Sequence, residues 1–234
     1  MESFKIIEPR EIDFNAEDFI GDYINTIHRK TKNVISHQLF KNIKNSPIKG
    51  FLFYGDVGLG KTALAKAIAK ELGISLIFID GSDIARGRYG DSEQQIKNIF
   101  RKANEHEKVI ILFDDIDCFL MSRDASISKE WHYAINATFF HEIDNMDTSK
   151  IFVILTTNRF DLVDKAIIDR FYPIEFPIPD EKTFFEIAKS KCERFDYGQK
   201  LTDKILRRVQ VSKIKSVRQI EKIIIEEYIS SLSG

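Results

Sequence analysis

The sequence predicts an α/β chain: a parallel five-stranded sheet with helices on both faces, followed by a small all-helical domain. Three observations carry that prediction. Up to Phe176, short apolar runs alternate with segments of helical period. The runs are apolar at successive positions, as strands buried on both faces of a parallel sheet must be. Beyond "PIPDEK", Pro177 to Lys182, only helical periods remain.

Taken in order, residues 1–45 form an amino-terminal segment with one helical stretch near 17–39, and a turn follows at "NSPIKG". The strands are "FLFY" (51–54), "SLIFI" (75–79), "VIILF" (109–113), "IFVIL" (151–155) and "YPIEF" (172–176). Helices at about 61–72, 92–106, 128–144 and 164–170 connect and cover them, so residues 46–176 make the α/β domain. A ligand of such a sheet sits at the carboxyl edge of the strands. Pro177 and Pro179 break the pattern and Asp180 supplies a helix cap. Helices near 181–195, 202–210 and 216–231 then fill a helical domain, residues 177–234.

At 234 residues the chain can bury a substantial core. Its 35 basic and 36 acidic residues give a net charge of −1, so no electrostatic footprint for nucleic acid or an anionic membrane is visible, although a local patch can hide in a neutral total. The start, "MESFKIIEPREIDF", lacks a basic flank followed by an apolar core. The longest apolar runs fall far short of the roughly 20 residues that span a bilayer. The expectation is a soluble, cytoplasmic protein without membrane contact. Cys118 and Cys192 are too few and too far apart for a disulfide framework or a metal site, and read as reduced packing residues.

The most informative stretch is "LFYGDVGLGKTALAKAIAKEL", Leu52 to Leu72. Gly55, Gly58 and Gly60 can take backbone angles closed to other residues, so the turn can wrap its amides around one point. Lys61 and Thr62 follow at once. This is the GxxxxGKT spacing of a phosphate-binding loop: the backbone cradles phosphates, the lysine reaches the β and γ phosphates, and the threonine hydroxyl holds Mg²⁺ at a helix N-terminus. A strand-like run before it and a helical period after it supply the required context, against the plain alternative of a glycine-rich turn. The expected ligands are a nucleoside triphosphate and Mg²⁺, with Gly55, Asp56, Val57, Gly58, Leu59, Gly60, Lys61, Thr62 and Ala63 around the phosphates.

"VIILFDDID" sets Asp114 and Asp115 directly after an apolar strand. A carboxylate there, beside a phosphate loop, can hold Mg²⁺ through water, and its neighbour can orient the attacking water. Read by itself, the stretch is equally a strand-terminal turn rich in aspartate.

With these two motifs the chain resembles the AAA+ ATPases, and within them the group that remodels proteins, over about residues 12–232. "GDVGLGKT" resembles Walker A and "IILFDDID" Walker B. "LTTN", ending at Asn158, is similar to sensor 1, which positions water near the γ phosphate. "DKAIIDRF" resembles the arginine-finger segment, with Arg170 at the position kept in the shorter family version. "SVRQIEKII" looks like a sensor 2 helix in which Arg218 reaches back from the lid. "EDFIGD" is similar to the segment whose backbone around Ile20 and Gly21 holds the adenine. The resemblance implies a P-loop NTPase sheet with a helical lid, catalysis by Lys61, Asp115, Asn158 and Arg170, and metal binding by Thr62 and Asp114. It also implies a homo-oligomeric ring, read as a hexamer, in which Arg170 serves a neighbouring subunit's nucleotide. Guanidinium suits that task because its fixed fork matches phosphate oxygens.

Three features depart from the family pattern. Asp115 stands where Walker B usually has Glu; its arm is one CH₂ shorter, and a misplacement of about 1 Å can cost roughly 10²-fold in rate. Slow hydrolysis is therefore one expectation. Asp169 stands where a first arginine often does, which leaves Arg170 alone. Asp56-Val57 replaces the usual Pro-Pro, and the negative charge of Asp56 beside a triphosphate is unexplained.

In "GSDIARGRYGDSEQQI" the triplet Arg88-Tyr89-Gly90 stands where remodelling members carry a pore loop, with the aromatic displaced by one position. Tyr89 can wedge against an extended polypeptide. Arg86 and Arg88 equally suit an acidic polypeptide or a phosphate backbone, with Tyr89 stacking on a base. Two functions stay open on the sequence: an ATPase that remodels a protein partner, and a nucleic-acid-linked loader or ATP-binding switch with slow hydrolysis.

Overall fold

The structure is a computed structural model that describes residues 4–85, 90–120 and 129–232. Its strands are β1 (Lys5–Ile7), β2 (Gly50–Tyr54), β3 (Ser75–Asp80), β4 (Val109–Asp114), β5 (Ile151–Thr157) and β6 (Phe171–Glu175). They form one sheet in the order β1-β3-β4-β5-β2-β6. The five apolar runs are β2 to β6, each within two residues of the expected bounds, and all pair in parallel. β1 is an addition to the expected five: it pairs antiparallel with β3, Ile6 opposite Ile77. Three residues ending just before Pro9 show no period, and the strand forms because an open edge of β3 accepts it.

The helices are α1 (Asp22–Phe40), α2 (Lys61–Leu72), α3 (Gly81–Ala85), α4 (Asp91–Ala103), α5 (Lys129–Asn145), α6 (Lys165–Ile168), α7 (Glu181–Phe195), α8 (Gln199–Val211) and α9 (Val217–Leu232). Successive residues of each buried strand point to opposite faces. Leu52, Ile111, Phe113, Val153 and Leu155 pack on one face with Ile96, Phe100, Ile135 and Phe139 from α4 and α5. Phe51, Phe53, Ile110, Leu112, Phe152 and Ile154 pack on the other with Ile35 and Leu39 of α1 and Leu64 and Ile68 of α2. Aromatic rings lock both layers: Phe113 meets Phe139 edge-on at 5.3 Å, and Phe51 tilts against Phe152 at 5.0 Å between centroids. Full burial of one such side chain stabilises the fold by about 1.5–3 kcal/mol.

Two local expectations are corrected. The stretch near 17–39 is not one helix: a 3-10 turn at Ala16–Asp18 precedes Phe19 to Gly21, and α1 starts only at Asp22. Gly21 has φ +115°, and a Cβ there would lie 3.0 Å from Thr183 Cγ2, so the chain bends where glycine alone fits. The helix expected over 164–170 is short, because the chain turns at once into β6, whose preceding carbonyl at Arg170 accepts from the Lys49 N–H at 3.2 Å.

The last three helices have a core of their own in which Phe184, Ile187 and Cys192 meet Ile205, Val209, Ile220 and Ile224. Asp180 caps α7 by accepting the Thr183 N–H at 2.7 Å. Cys192 is a buried free thiol whose pKa burial pushes up, which suits inert packing. The Cys118 side chain lies outside the described residues. Among the described residues no helix is long and apolar enough to cross a membrane.

Candidate functional site: a phosphate loop under a helical lid

β2 ends at Tyr54 and the chain turns sharply before α2. Gly55 (φ +140°) permits the turn, because a Cβ there would stand 2.4 Å from the Phe176 carbonyl oxygen. Gly60 (φ +92°) sets the last bend, so that Lys61 is the first residue of α2. The loop amides thus converge on the N-terminus of a helix of 12 residues, where the dipole favours an anion. The Lys61 ammonium folds back over this loop. It donates to the carbonyls of Gly55 at 2.7 Å and Asp56 at 2.9 Å, and to Asn158 Oδ1 at 2.7 Å. Burial lowers its pKa, while Asp115, Asp114, Asp117 and Asp56 act in the opposite sense.

Parallel pairing brings the ends of β2, β4 and β5 level, with Tyr54 opposite Thr157 and Phe113 opposite Leu155. The carboxylates therefore emerge beside the loop. Asp114 Oδ1 accepts from the hydroxyls of Thr62 at 2.6 Å and Thr156 at 2.7 Å. Thr156 Oγ1 in turn accepts the Asp115 N–H at 2.9 Å. Asp115 holds a left-handed backbone (φ 54°, ψ 60°), and its Oδ1 accepts from Asn158 Nδ2 at 2.8 Å. Burial raises the Asp115 pKa, with Asp114 and Asp117 adding to the shift and Asn158 and Lys61 opposing it.

These groups form the floor of a cleft of about 390 Å³. Val57, Gly58, Leu59, Gly60, Lys61, Thr62 and Ala63 line it, with Asp114, Asp115 and Asn158. Gly55 and Asp56 stand behind the lining and contribute the carbonyls that hold Lys61. Ile20 lines the other end with Phe14, Phe19, Tyr23 and Ile187, an apolar slot suited to a flat base; burial pushes the Tyr23 hydroxyl up to about 12. Gly21 bends the chain into this slot without lining it. The lid closes the top: the Val217 N–H donates to the Gly58 carbonyl at 3.0 Å, and Arg218 lines the cleft with its Cβ 3.0 Å from where a Gly58 Cβ would lie. Arg194 of α7 ties the lid to the amino-terminal segment through Asp18 at 2.8 Å.

Arg170 is absent from the lining of its own chain's cleft. Its Nε and Nη2 donate to the two oxygens of Asp144 at 2.8 and 2.9 Å, Nη1 donates to the Ala166 carbonyl at 3.0 Å, and the guanidinium lies 4.9 Å from the centroid of the Phe140 ring. Gly90, with φ +88°, caps the start of α4, whereas Arg86, Arg88 and Tyr89 lie outside the described residues.

Residues 51–178 match the family described as ATPase family associated with various cellular activities (AAA). The chain belongs to this family. Among curated AAA relatives, the 26S proteasome regulatory subunit 8 homologs B and A of Arabidopsis thaliana are each 31% identical over 197 residues, covering 79% of this chain and 46% of theirs. The ATPase histone chaperone YTA7 of Saccharomyces cerevisiae is 33% identical over 206 residues, covering 81% of this chain and 15% of its own. The chain thus spans less than half the length of these relatives.

Several groups of this AAA site escape a motif reading. Thr156 donates to Asp114, Asp117 accepts the Asn158 N–H and the Thr157 hydroxyl, and Lys66, Lys191, Arg194 and Glu221 line the cleft. For Asp117 a signal existed, as the third acid of "FDDID". For the lid residues none did, because they converge only once α7 and α9 have docked.

Proposed function

We propose that this chain binds ATP in the cleft and hydrolyses it as one subunit of a homo-oligomeric ring, a hexamer, and that the cycle remodels a protein partner. The observation that carries the reading is the meeting of Lys61, Thr62, Asp114, Asp115 and Asn158 at the mouth of a helix-terminal loop, under a lid. In this reading residues 1–45 contribute the base slot, 46–176 the ATPase domain and 177–234 the lid.

The oxygen set of Thr62 and Asp114, 2.6 Å apart, fits a hard cation; these two residues would hold Mg²⁺, which would offset the charge of the phosphates. The loop amides and Lys61 bind the phosphates, and Asp115 and Asn158 orient the attacking water. Arg218 contacts the nucleotide from the lid, and Ile20 and Gly21 frame the base. Arg170 acts on a neighbour's γ phosphate, a role supported by its absence from the lining of its own cleft and its orientation by Asp144. The loop at Arg88, Tyr89 and Gly90 grips the partner. A protein partner is favoured because the relatives are named as a proteasome regulatory subunit and a histone chaperone.

One observation favours a second reading, an ATP-binding switch, nucleic-acid-linked, with slow hydrolysis. The short arm of Asp115 is engaged by Asn158 Nδ2 at 2.8 Å. The two separate by turnover with Mg²⁺ in the presence of an unfolded protein or of single-stranded DNA at low salt. Stimulation by the unfolded protein is expected, while stimulation by DNA alone would transfer the conclusion to the switch. Absence of ATP binding would overturn both.

A further inference from the structure

Asn158 is gripped from two sides by one short turn. Its side chain is fixed between Lys61 Nζ, which donates to Oδ1 at 2.7 Å, and Asp115 Oδ1, which accepts from Nδ2 at 2.8 Å. Its backbone is fixed by Asp117, two residues after Asp115. Asp117 Oδ2 accepts the Asn158 N–H at 3.1 Å, and Oδ1 takes a short hydrogen bond from the Thr157 hydroxyl. That hydroxyl accepts the Arg159 N–H at 2.9 Å, so one carboxylate organises three successive residues.

The grip matters because of where the sheet ends. The pairing of β2 with β5 stops at Tyr54 opposite Thr157, so Asn158 is the first residue beyond the ladder. A residue there would swing freely without another anchor, and a water-orienting amide displaced by about 1 Å can lose roughly 10²-fold in rate. The turn that carries Asp117, Ile116–Cys118, is itself set firmly: Asp115 enters it in the left-handed conformation, and Gly81 packs so closely that a Cβ there would lie 2.3 Å from the Asp115 carbonyl oxygen.

We propose that Asp117 is a positioning residue for hydrolysis, acting through Asn158 by holding its backbone N–H and the neighbouring Thr157 hydroxyl. The inference rests on the ATPase reading above. An acid that only completed a turn would need one acceptor; here one oxygen is directed to Thr157 at the end of β5, the other to Asn158 just beyond it, and none to the turn's own backbone among the described hydrogen bonds.

The test compares wild type, Asp117→Asn, Asp117→Glu, Asn158→Ala and the double variant Asp117→Asn with Asn158→Ala. Steady-state ATP turnover is measured beside amide hydrogen exchange of the segment 155–162. The isosteric Asp117→Asn keeps one acceptor and loses the other. Its kcat is expected to fall about 10- to 100-fold with KM for ATP within about threefold. Asp117→Glu, which keeps two acceptors, recovers part of the rate. The double variant turns over within about twofold of Asn158→Ala alone, as a residue acting through another requires. Independent, multiplying losses would overturn the proposal, as would a loss confined to KM. Exchange at Asn158 is expected to quicken in Asp117→Asn, and unchanged protection would overturn the proposal whether or not the wild type hydrolyses ATP. A wild type that protects Asn158 but shows no turnover defeats the ATPase reading instead, and exchange then decides the positioning role.

Discussion

Lys61 Nζ and Asn158 Oδ1 stand 2.7 Å apart, a hydrogen bond that joins the first residue of α2 to the residue just beyond β5. With the Gly55 and Asp56 carbonyls it occupies all three donors of the ammonium. In the proposed function, a triphosphate entering the loop would take over these donors.

Lys61→Ala is therefore expected to weaken ATP binding. A hydrogen bond to a charged group is worth about 1.5–3 kcal/mol, which is about 10- to 100-fold in affinity. Calorimetric titration with ATP checks this, and an unchanged affinity would contradict the assignment of the loop.

Arg170→Ala is expected to leave ATP affinity within about threefold of wild type and to cut turnover by about 10³ to 10⁵, the usual worth of an arginine finger. Its cleft is intact because Arg170 lines no part of it. Affinity and turnover measured on the same preparation separate the two effects, and retained hydrolysis would remove Arg170 from the mechanism.

Asp115→Glu is expected to raise turnover, by up to about 10²-fold where the shorter arm limits the reaction. Asp115→Asn, which removes the charge at nearly constant shape, is expected to lower it. Equal rates for Asp115 and Glu would show that arm length is not limiting.

Asp144→Asn tests the Arg170 support through its pH dependence. The Arg170 guanidinium holds the Asp144 pKa below the usual carboxylate range. A depressed carboxylate pKa contributes stability that is full above the unfolded value near pH 4 and is lost as pH falls through the folded value. Because Asp144 is half exposed, the contribution is at most about 1 kcal/mol. The wild-type Tm should exceed that of Asp144→Asn by a few degrees at pH 7, and the gap should close below about pH 4. A gap independent of pH would show that the pair contributes nothing electrostatic.

Much of this architecture was legible because its signals are local. β2 to β6 read as apolar runs, and "GDVGLGKT" carries its own turn chemistry in consecutive residues. β1 was not legible, since three residues have no period and only the β3 edge makes them a strand. Gly21, at φ +115°, split the expected first helix, and Thr183, far along the chain, leaves little room for a Cβ there. In the site, Lys61, Thr62 and Asp114 follow from spacing, but the bond from Lys61 to Asn158 spans 97 positions and depends on β2 and β5 being neighbours. The role of Asp117 needs the position of Asn158 past the end of the ladder, and the lid wall of Lys191, Arg194 and Glu221 needs docked helices.

Completion of the site between subunits is tested by steady-state ATP turnover per subunit against protein concentration, through the micromolar range with Mg²⁺ in excess. A rate per subunit that climbs with concentration is expected, with the climb lost in Arg170→Ala. A wild-type rate per subunit that is constant across the range, and unchanged by Arg170→Ala, would contradict it.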